Sequence, residues 1–85
     1  MKEVNLTVHT FRMGTDKEAA LKPLEEAAEV FGAWQQEWGL GENNNMANEI
    51  ADCIQACVNL ADREGIDLVA ALRRVESGNR ARGRY

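Results

Sequence analysis

Three stretches of this chain repeat apolar residues at the spacing of an α-helix, and short loops containing glycine or asparagine separate them. The pattern predicts helices over residues 15–36, 46–64 and 68–77. Helices joined by loops this short pack as neighbours. The sequence therefore predicts an all-α fold made of a helical hairpin plus a third helix.

Residues typical of helix ends support these boundaries. Residues 15–18, Thr-Asp-Lys-Glu, fit a capping box in which the threonine caps the first helix and the glutamate reaches back. Gly65 is a natural C-cap for the second helix, Asp67 can cap the third, and Gly78 is predicted to end it. Pro23 interrupts the first helix, so it either kinks this helix or marks a restart at the first turn of another.

The N-terminal segment has a different pattern. Val4, Leu6 and Val8 alternate with polar residues, which predicts a short strand-like arm. No second strand is predicted in the chain, so a strand here would pair with its copy in another subunit. We therefore expect one domain over residues 1–85, composed of an extended arm (1–14) and a helical core (15–85).

The apolar faces of the predicted helices are wider than three short helices can hide among themselves. Hydrophobic residues form 45% of the chain but aromatic residues only 6%, so the core is small and rich in alanine. We expect a homodimer or homotetramer in which these faces complete a four-helix-bundle type of core. The predicted faces comprise Leu21, Leu24, Ala28, Phe31 and Trp34; then Met46, Ile50, Cys53, Ile54, Cys57, Leu60 and Ala61; and finally Leu68, Val69, Leu72 and Val75.

The sequence favours a cytoplasmic protein. It contains no signal peptide, no apolar run of membrane-spanning length and no lipidation motif, which predicts no membrane association. Cys53 and Cys57 lie four residues apart on one predicted helix, where a disulfide is geometrically poor. We interpret them as reduced core thiols, with a cysteine metal pair as the alternative.

Two acidic clusters carry the strongest chemical signal. Glu25, Glu26 and Glu29 lie on the first predicted helix, and Glu49 and Asp52 on the second. Residues three or four apart share a helix face, so a hairpin can bring both clusters to one place. Two like charges about 4 Å apart repel by roughly 4 kcal/mol at an effective dielectric of about 20. A hard divalent ion such as Mg²⁺ relieves this repulsion, whereas the alternative is a solvated acidic face.

Positive charge is concentrated at the other end of the chain. Residues 73–85 contain five arginines and a single acid, Glu76. This segment suits a ligand that carries both phosphates and a bound cation, while nucleic-acid binding would need a broader basic surface. The alternative is a solvated, partly frayed C-terminus.

The acidic and basic segments together resemble a known family. The pattern Glu-Glu-x-x-Glu at 25–29 followed by Glu-x-x-Asp at 49–52 is similar to the signature of the MazG-like, all-α nucleoside triphosphate pyrophosphohydrolases. That superfamily includes dimeric dUTPases, dCTP pyrophosphatases and phosphoribosyl-ATP pyrophosphohydrolase. The lead-in at 22–26, the Gly-Ile-Asp turn at 65–67 and the Arg-x4-Asn-x2-Arg-Gly ending at 74–83 resemble it too. The likeness covers about residues 17–84.

The resemblance implies hydrolysis of a nucleoside triphosphate to the monophosphate and pyrophosphate. The cofactor it implies is Mg²⁺, with Mn²⁺ as a substitute, held by Glu26, Glu29, Glu49 and Asp52. Glu25 would support the site or orient the water. The implied phosphate contacts are Lys22, Asn79 and Arg82, with Arg74 assisting.

Other interpretations stay open from sequence alone. The same site would serve phosphoribosyl-ATP or a dUTP/dUDP specificity, and a non-catalytic helical oligomerisation module would carry only a solvated acidic face. Trp34 and Trp38 offer stacking surface for a nucleobase, although packing in the core or a subunit interface is the commoner role of such residues.

Overall fold

The computed structural model describes all 85 residues and contains three helices and no strand. Helix α1 spans Asp16–Glu37, α2 spans Asn44–Arg63 and α3 spans Leu68–Ala81. The first two pack along each other as a hairpin, whereas α3 makes few contacts with α2 and none with α1. The prediction of an all-α hairpin plus a third helix is confirmed. None of the three helices has both the length and the apolar content that crossing a bilayer would require.

The predicted start of α1 is confirmed by its cap. The Thr15 hydroxyl accepts a hydrogen bond from the Glu18 backbone N–H at 3.2 Å. The helix then runs without interruption through Pro23, so no second helix restarts there. Because proline lacks an N–H, it donates no helical hydrogen bond to the carbonyl of Ala19. The other twenty or so residues hold the helix together, and the packing against α2 supports it.

Helix α2 begins two residues before the predicted Met46, and a residue from α1 caps it. Its N-cap residue, Asn43, makes no side-chain capping bond. Instead the Glu37 side chain, at the end of α1, accepts a hydrogen bond from the Met46 N–H at 2.8 Å. An acidic group at this position also interacts favourably with the helix dipole. The sequence pattern missed this cap because its two partners belong to different helices.

The predicted boundary between α2 and α3 agrees with the structure, but the predicted C-terminal end of α3 does not. Gly65 adopts a left-handed conformation (φ +68°) just after α2, and Asp67 caps α3 by accepting from the Ala70 N–H at 3.0 Å. The prediction that Gly78 ends α3 is wrong, since the helix continues to Ala81. A glycine inside a helix costs only about 1 kcal/mol relative to alanine. The left-handed glycine that follows this helix is Gly83 (φ +69°).

The hairpin packs through small side chains rather than through the large apolar residues predicted for its core. Apart from Glu26, the buried residues are Ala33, Ala56 and Ala61. The predicted stripe of α1 is largely exposed, with Leu24 69% and Phe31 58% accessible. Alanines allow two helix backbones to approach closely, and this contact rotates the larger side chains outward. The packed face of α1 is therefore offset from its most hydrophobic face.

The N-terminal arm forms no strand within the protomer, and its pairing with a copy in another subunit stays a prediction. A single segment has no neighbour in this chain with which to build a ladder. Side chains of α2 bind its main chain instead. The Phe11 N–H donates to Asn59 Oδ1 at 3.0 Å, and Gln55 Nε2 donates to the His9 carbonyl at 3.0 Å.

The cap that joins α1 to α2 can be tested with a matched pair of variants. Replacement of Glu37 by alanine (Glu37→Ala) removes the acceptor of the Met46 N–H and should lower the free energy of unfolding by about 1 kcal/mol. Glu37→Gln keeps the acceptor oxygen and should stay close to the wild type. Urea unfolding followed by circular dichroism at one protein concentration measures both, and equal loss in the two variants would contradict the cap.

Candidate metal centre

Three carboxylates converge where the two helices of the hairpin meet. One oxygen from each of Glu26, Glu49 and Asp52 lies within 4.8 Å of the others. Helix α1 supplies Glu26, and α2 supplies the other two from adjacent turns of one face. The packing of α1 on α2 therefore brings together three of the four ligands predicted from the sequence.

Two oxygens of this group are buried without a hydrogen-bond partner. Glu26 is only 7% exposed. Its Oε2 and the Oε2 of Glu49 accept no hydrogen bond. Burying an unpaired polar atom costs free energy, and more so when it is charged. Both atoms are therefore in need of a donor or a cation.

The electrostatics of the group fit a divalent cation. Unit charges 4.8 Å apart repel by roughly 3–4 kcal/mol at an effective dielectric of about 20. Carboxylate oxygens are preferred ligands of Mg²⁺, and sites of this kind also accept Mn²⁺ in its place. The donor set, its burial and its unpaired oxygens thus suit the ion that the sequence predicted.

Lys22 partly balances this negative charge from the rim of the site. Its Nζ lies 3.2 Å from Glu26 Oε1 and 3.7 Å from Glu25 Oε2. The hydrogen bond to Glu26, helped by the negative charge of that carboxylate, raises the pKa of Lys22. The amine therefore stays protonated near neutral pH, while Glu26 Oε2 has no hydrogen-bond partner.

The remaining acids of the predicted set lie outside the convergent group. Glu25 is exposed and pairs with Lys22 at the rim. Glu29 is also exposed, one turn beyond Glu26, and has no oxygen within the group. In this protomer the two glutamates are thus placed near the centre but do not belong to it.

The basic residues predicted to bind phosphate lie elsewhere in the protomer. Arg74 and Asn79 are on α3, and Arg82 is its C-cap. Helix α3 does not touch α1, and none of these side chains lines the space beside the carboxylates. Asn79 instead accepts a hydrogen bond from the Arg84 side chain at 2.8 Å.

A cavity of about 580 Å³ opens next to the carboxylates. Glu26 and Asp52 are among the residues that line it, together with Lys22 and arm residues 11–14. Its α2 wall includes a polar stripe that sequence reasoning missed. This stripe consists of Asp52, Gln55, Asn59 and Arg63, and its members recur every three or four positions, a signal that could have been recognised.

Arg63 ties the stripe to the start of α1. Its Nε donates to Asp16 Oδ1 at 2.8 Å, and one terminal nitrogen donates to the Gly14 carbonyl at 3.3 Å. Because these bonds join the end of α2 to the beginning of α1, they confirm that the hairpin is antiparallel. They also hold the last residues of the arm against the cavity.

The tryptophans and cysteines do not belong to this centre. Trp34 stacks on Phe31 with ring centroids 5.8 Å apart, and neither Trp34 nor Trp38 lines the cavity. Cys53 and Cys57 are not joined by a disulfide, and the group of possible metal ligands contains neither. Burial raises the pKa of the Cys53 thiol, which keeps it protonated. Cys57 is exposed, so only Cys53 resembles the predicted core thiol.

Comparisons with known proteins do not assign this chain to a family. No family model, no curated protein and no solved structure matches it. The carboxylates and the cavity are therefore the observations from which function is inferred.

Substitution of the buried ligand tests the metal centre directly. In EDTA, Glu26→Gln should raise the melting temperature, because it removes one of three mutually repelling charges while keeping an acceptor for Lys22. Mg²⁺ at about 100 times its dissociation constant should stabilise the wild type by about 2.7 kcal/mol, and this gain should be lost in Glu26→Gln. Thermal unfolding with and without Mg²⁺ measures both effects.

Two further variants complete this experiment. Glu64→Gln alters an exposed acid outside the centre and should respond to Mg²⁺ like the wild type. Glu29→Gln distinguishes the three-carboxylate group of the structure from the four-ligand set predicted from the sequence. The Mg²⁺ response should weaken in this variant only if Glu29 is a ligand. An unchanged response in Glu26→Gln would contradict the metal centre.

Proposed function

We propose that this protein is a Mg²⁺-dependent nucleotide pyrophosphohydrolase that converts a nucleoside triphosphate to the monophosphate and pyrophosphate. The observation that carries the proposal is the convergence of Glu26, Glu49 and Asp52 with two buried oxygens lacking partners. Hydrolysis of this type needs a cation against the phosphates and space for the nucleotide beside it. The cavity next to the carboxylates supplies that space. The resemblance to the MazG-like family supplies the reaction class.

Each residue of the centre has a chemical role in this proposal. Glu26, Glu49 and Asp52 would hold Mg²⁺, and Glu29 is proposed as a fourth ligand whose exposed side chain can turn toward the ion. A bound Mg²⁺ would polarise phosphate oxygens and lower the pKa of a coordinated water. Glu25, exposed at the rim, can accept a hydrogen bond from the attacking water and orient it.

Lys22 would contact the phosphates from the same rim. Its amine is protonated and lies between two carboxylates, 3.2 Å from Glu26. When a triphosphate binds with its metal, the metal can neutralise the carboxylates and the phosphates can pair with the amine. The Lys22 amine can then exchange a carboxylate partner for a phosphate oxygen. Ion pairs with phosphate oxygens are strong because both partners are charged.

We propose that the protein is a homo-oligomer, a dimer or a tetramer, in which the exposed apolar faces meet. Only three alanines and one glutamate are buried in the protomer, and Leu72 of α3 is 54% exposed. Exposed apolar faces of this extent favour contact with another subunit. Completing a four-helix bundle in this way would also give Arg74, Asn79 and Arg82 a route to the phosphates of a neighbouring site.

A non-catalytic helical oligomerisation module is the second candidate. The Lys22–Glu26 ion pair favours this candidate, because the Lys22 amine of the protein itself already neutralises part of the acidic group. The exposed apolar faces are equally compatible with it. The two candidates differ in their response to Mg²⁺, since a module with a merely solvated acidic face should show none.

The reaction is tested with a panel of nucleoside triphosphates. We expect pyrophosphate release from at least one of them in Mg²⁺ or Mn²⁺ and complete loss of activity in EDTA. The panel includes dUTP, dUDP and phosphoribosyl-ATP, which separates the alternative substrates. Glu49→Ala should reduce the rate by more than about 100-fold, beyond the effect of losing an outer-shell partner. Activity that survives Glu49→Ala with the fold intact would contradict the assignment.

The oligomer is tested on α3. Leu72→Glu places a charge on its exposed apolar face and should convert the oligomer to a smaller species in sedimentation velocity. Arg73→Glu is a control with a larger change in charge at the neighbouring position, off the apolar face, and should leave the size unchanged. A wild-type protein that sediments as a monomer at all concentrations would contradict the proposed assembly.

A further inference from the structure

The N-terminal arm is held in a defined position against α2. Three α2 side chains hold it, and each contacts main-chain atoms: Gln55 contacts the His9 carbonyl, Asn59 the Phe11 N–H, and Arg63 the Gly14 carbonyl. These bonds occupy the backbone of the arm, while its side chains remain available to the cavity. Phe11, Arg12 and Met13 are among the residues that line it.

The arm also fixes the orientation of two amides in the cavity wall. Asn59 Oδ1 must accept the backbone N–H of Phe11, and Gln55 Nε2 must donate to the His9 carbonyl. The Gln55 Nε2 donates to Asn59 Oδ1 as well, at 2.8 Å. The orientation of each amide is therefore set by a backbone group whose identity is certain. Asn59 Nδ2 and Gln55 Oε1 are left as a donor and an acceptor on two residues that line the cavity.

We propose that the arm completes a nucleoside-binding subsite beside the metal centre, with Phe11 stacking on the base. This inference rests on the proposed function and specifies its substrate site. The cavity of about 580 Å³ lies within the roughly 300–1,000 Å³ typical of small-molecule sites. Phe11, Met13 and Leu60 provide apolar contact, and the Asn59–Gln55 pair provides hydrogen bonding for the edge of a base.

The direction of the nucleotide follows from the placement of charge. Glu26 and Asp52, the proposed cation ligands, line the same cavity as Phe11 and Asn59. A base on the arm would thus leave its phosphates to extend toward the cation and Lys22. Arg12 of the arm is a further cationic side chain in the lining of the cavity.

Binding measurements separate the nucleoside from the phosphates. The probes are α,β-methylene analogues of the nucleoside triphosphates and inorganic tripolyphosphate, each titrated calorimetrically in Mg²⁺. We expect the best analogue to bind more tightly than tripolyphosphate. Phe11→Ala should weaken the analogue by on the order of 10-fold, the size of one stacking contact, and leave tripolyphosphate unchanged. Leu6→Ala, an apolar change in the same arm but outside the cavity, should alter neither.

A second variant tests the amide pair. Asn59→Asp keeps the oxygen that accepts from Phe11 and Gln55 but replaces the free donor by an acceptor, so the order of preference among the bases should change. The subsite would be overturned if Phe11→Ala weakened the binding of the analogue and of tripolyphosphate equally, or weakened the binding of neither. A wild-type protein that gains no affinity from any nucleoside would overturn it too. An analogue that binds through Phe11 while its parent triphosphate is not hydrolysed would instead overturn the proposed reaction and keep the subsite.

Discussion

The close contact between α1 and α2 determines the rest of this structure. Ala33 of α1 and Ala56 and Ala61 of α2 are small enough for the two backbones to approach, and they are the apolar residues that become buried. The same contact carries Glu26 into the interface, since it lies two turns before Ala33 on the same helix face. A bulkier seam would hold the helices farther apart and separate the carboxylates.

The candidate metal centre therefore combines favourable packing with unfavourable charge. Packing favours the face of α1 that contains Glu26, whereas electrostatics opposes burial of a carboxylate beside Glu49 and Asp52. Lys22 relieves part of the conflict, because its amine pairs with Glu26 Oε1 but leaves the buried Oε2 without a hydrogen-bond partner. Local inconsistency of this kind is expected where function has been favoured over stability. A bound cation would remove what remains of it.

The sequence predicted the parts of the fold that depend on neighbouring residues. Thr15 and Asp67 cap their helices through residues three positions away, so a short motif is enough to recognise them. The packed face of α1 could not be read in this way. By hydrophobicity, Leu24 and Phe31 are expected to be buried. The helices instead bury alanines, which let them approach closely, and how closely they approach depends on both helices together. The convergence of Glu26 with the acids of α2 was predictable only because a hairpin has few ways to align two faces.

Charge is divided between two parts of the molecule that barely touch in one protomer. The hairpin carries the acidic centre, and residues 73–85 carry five arginines on and beyond α3. Attraction between them acts over about 10 Å at moderate salt, yet α3 does not fold back onto α1. Under the proposed assembly, docking of α3 on a neighbouring subunit would bury its exposed Val69, Leu72 and Val75 and bring the arginines to an acidic group at once. In the proposed oligomer, each site would then combine the carboxylates and arm of one protomer with the arginines of another.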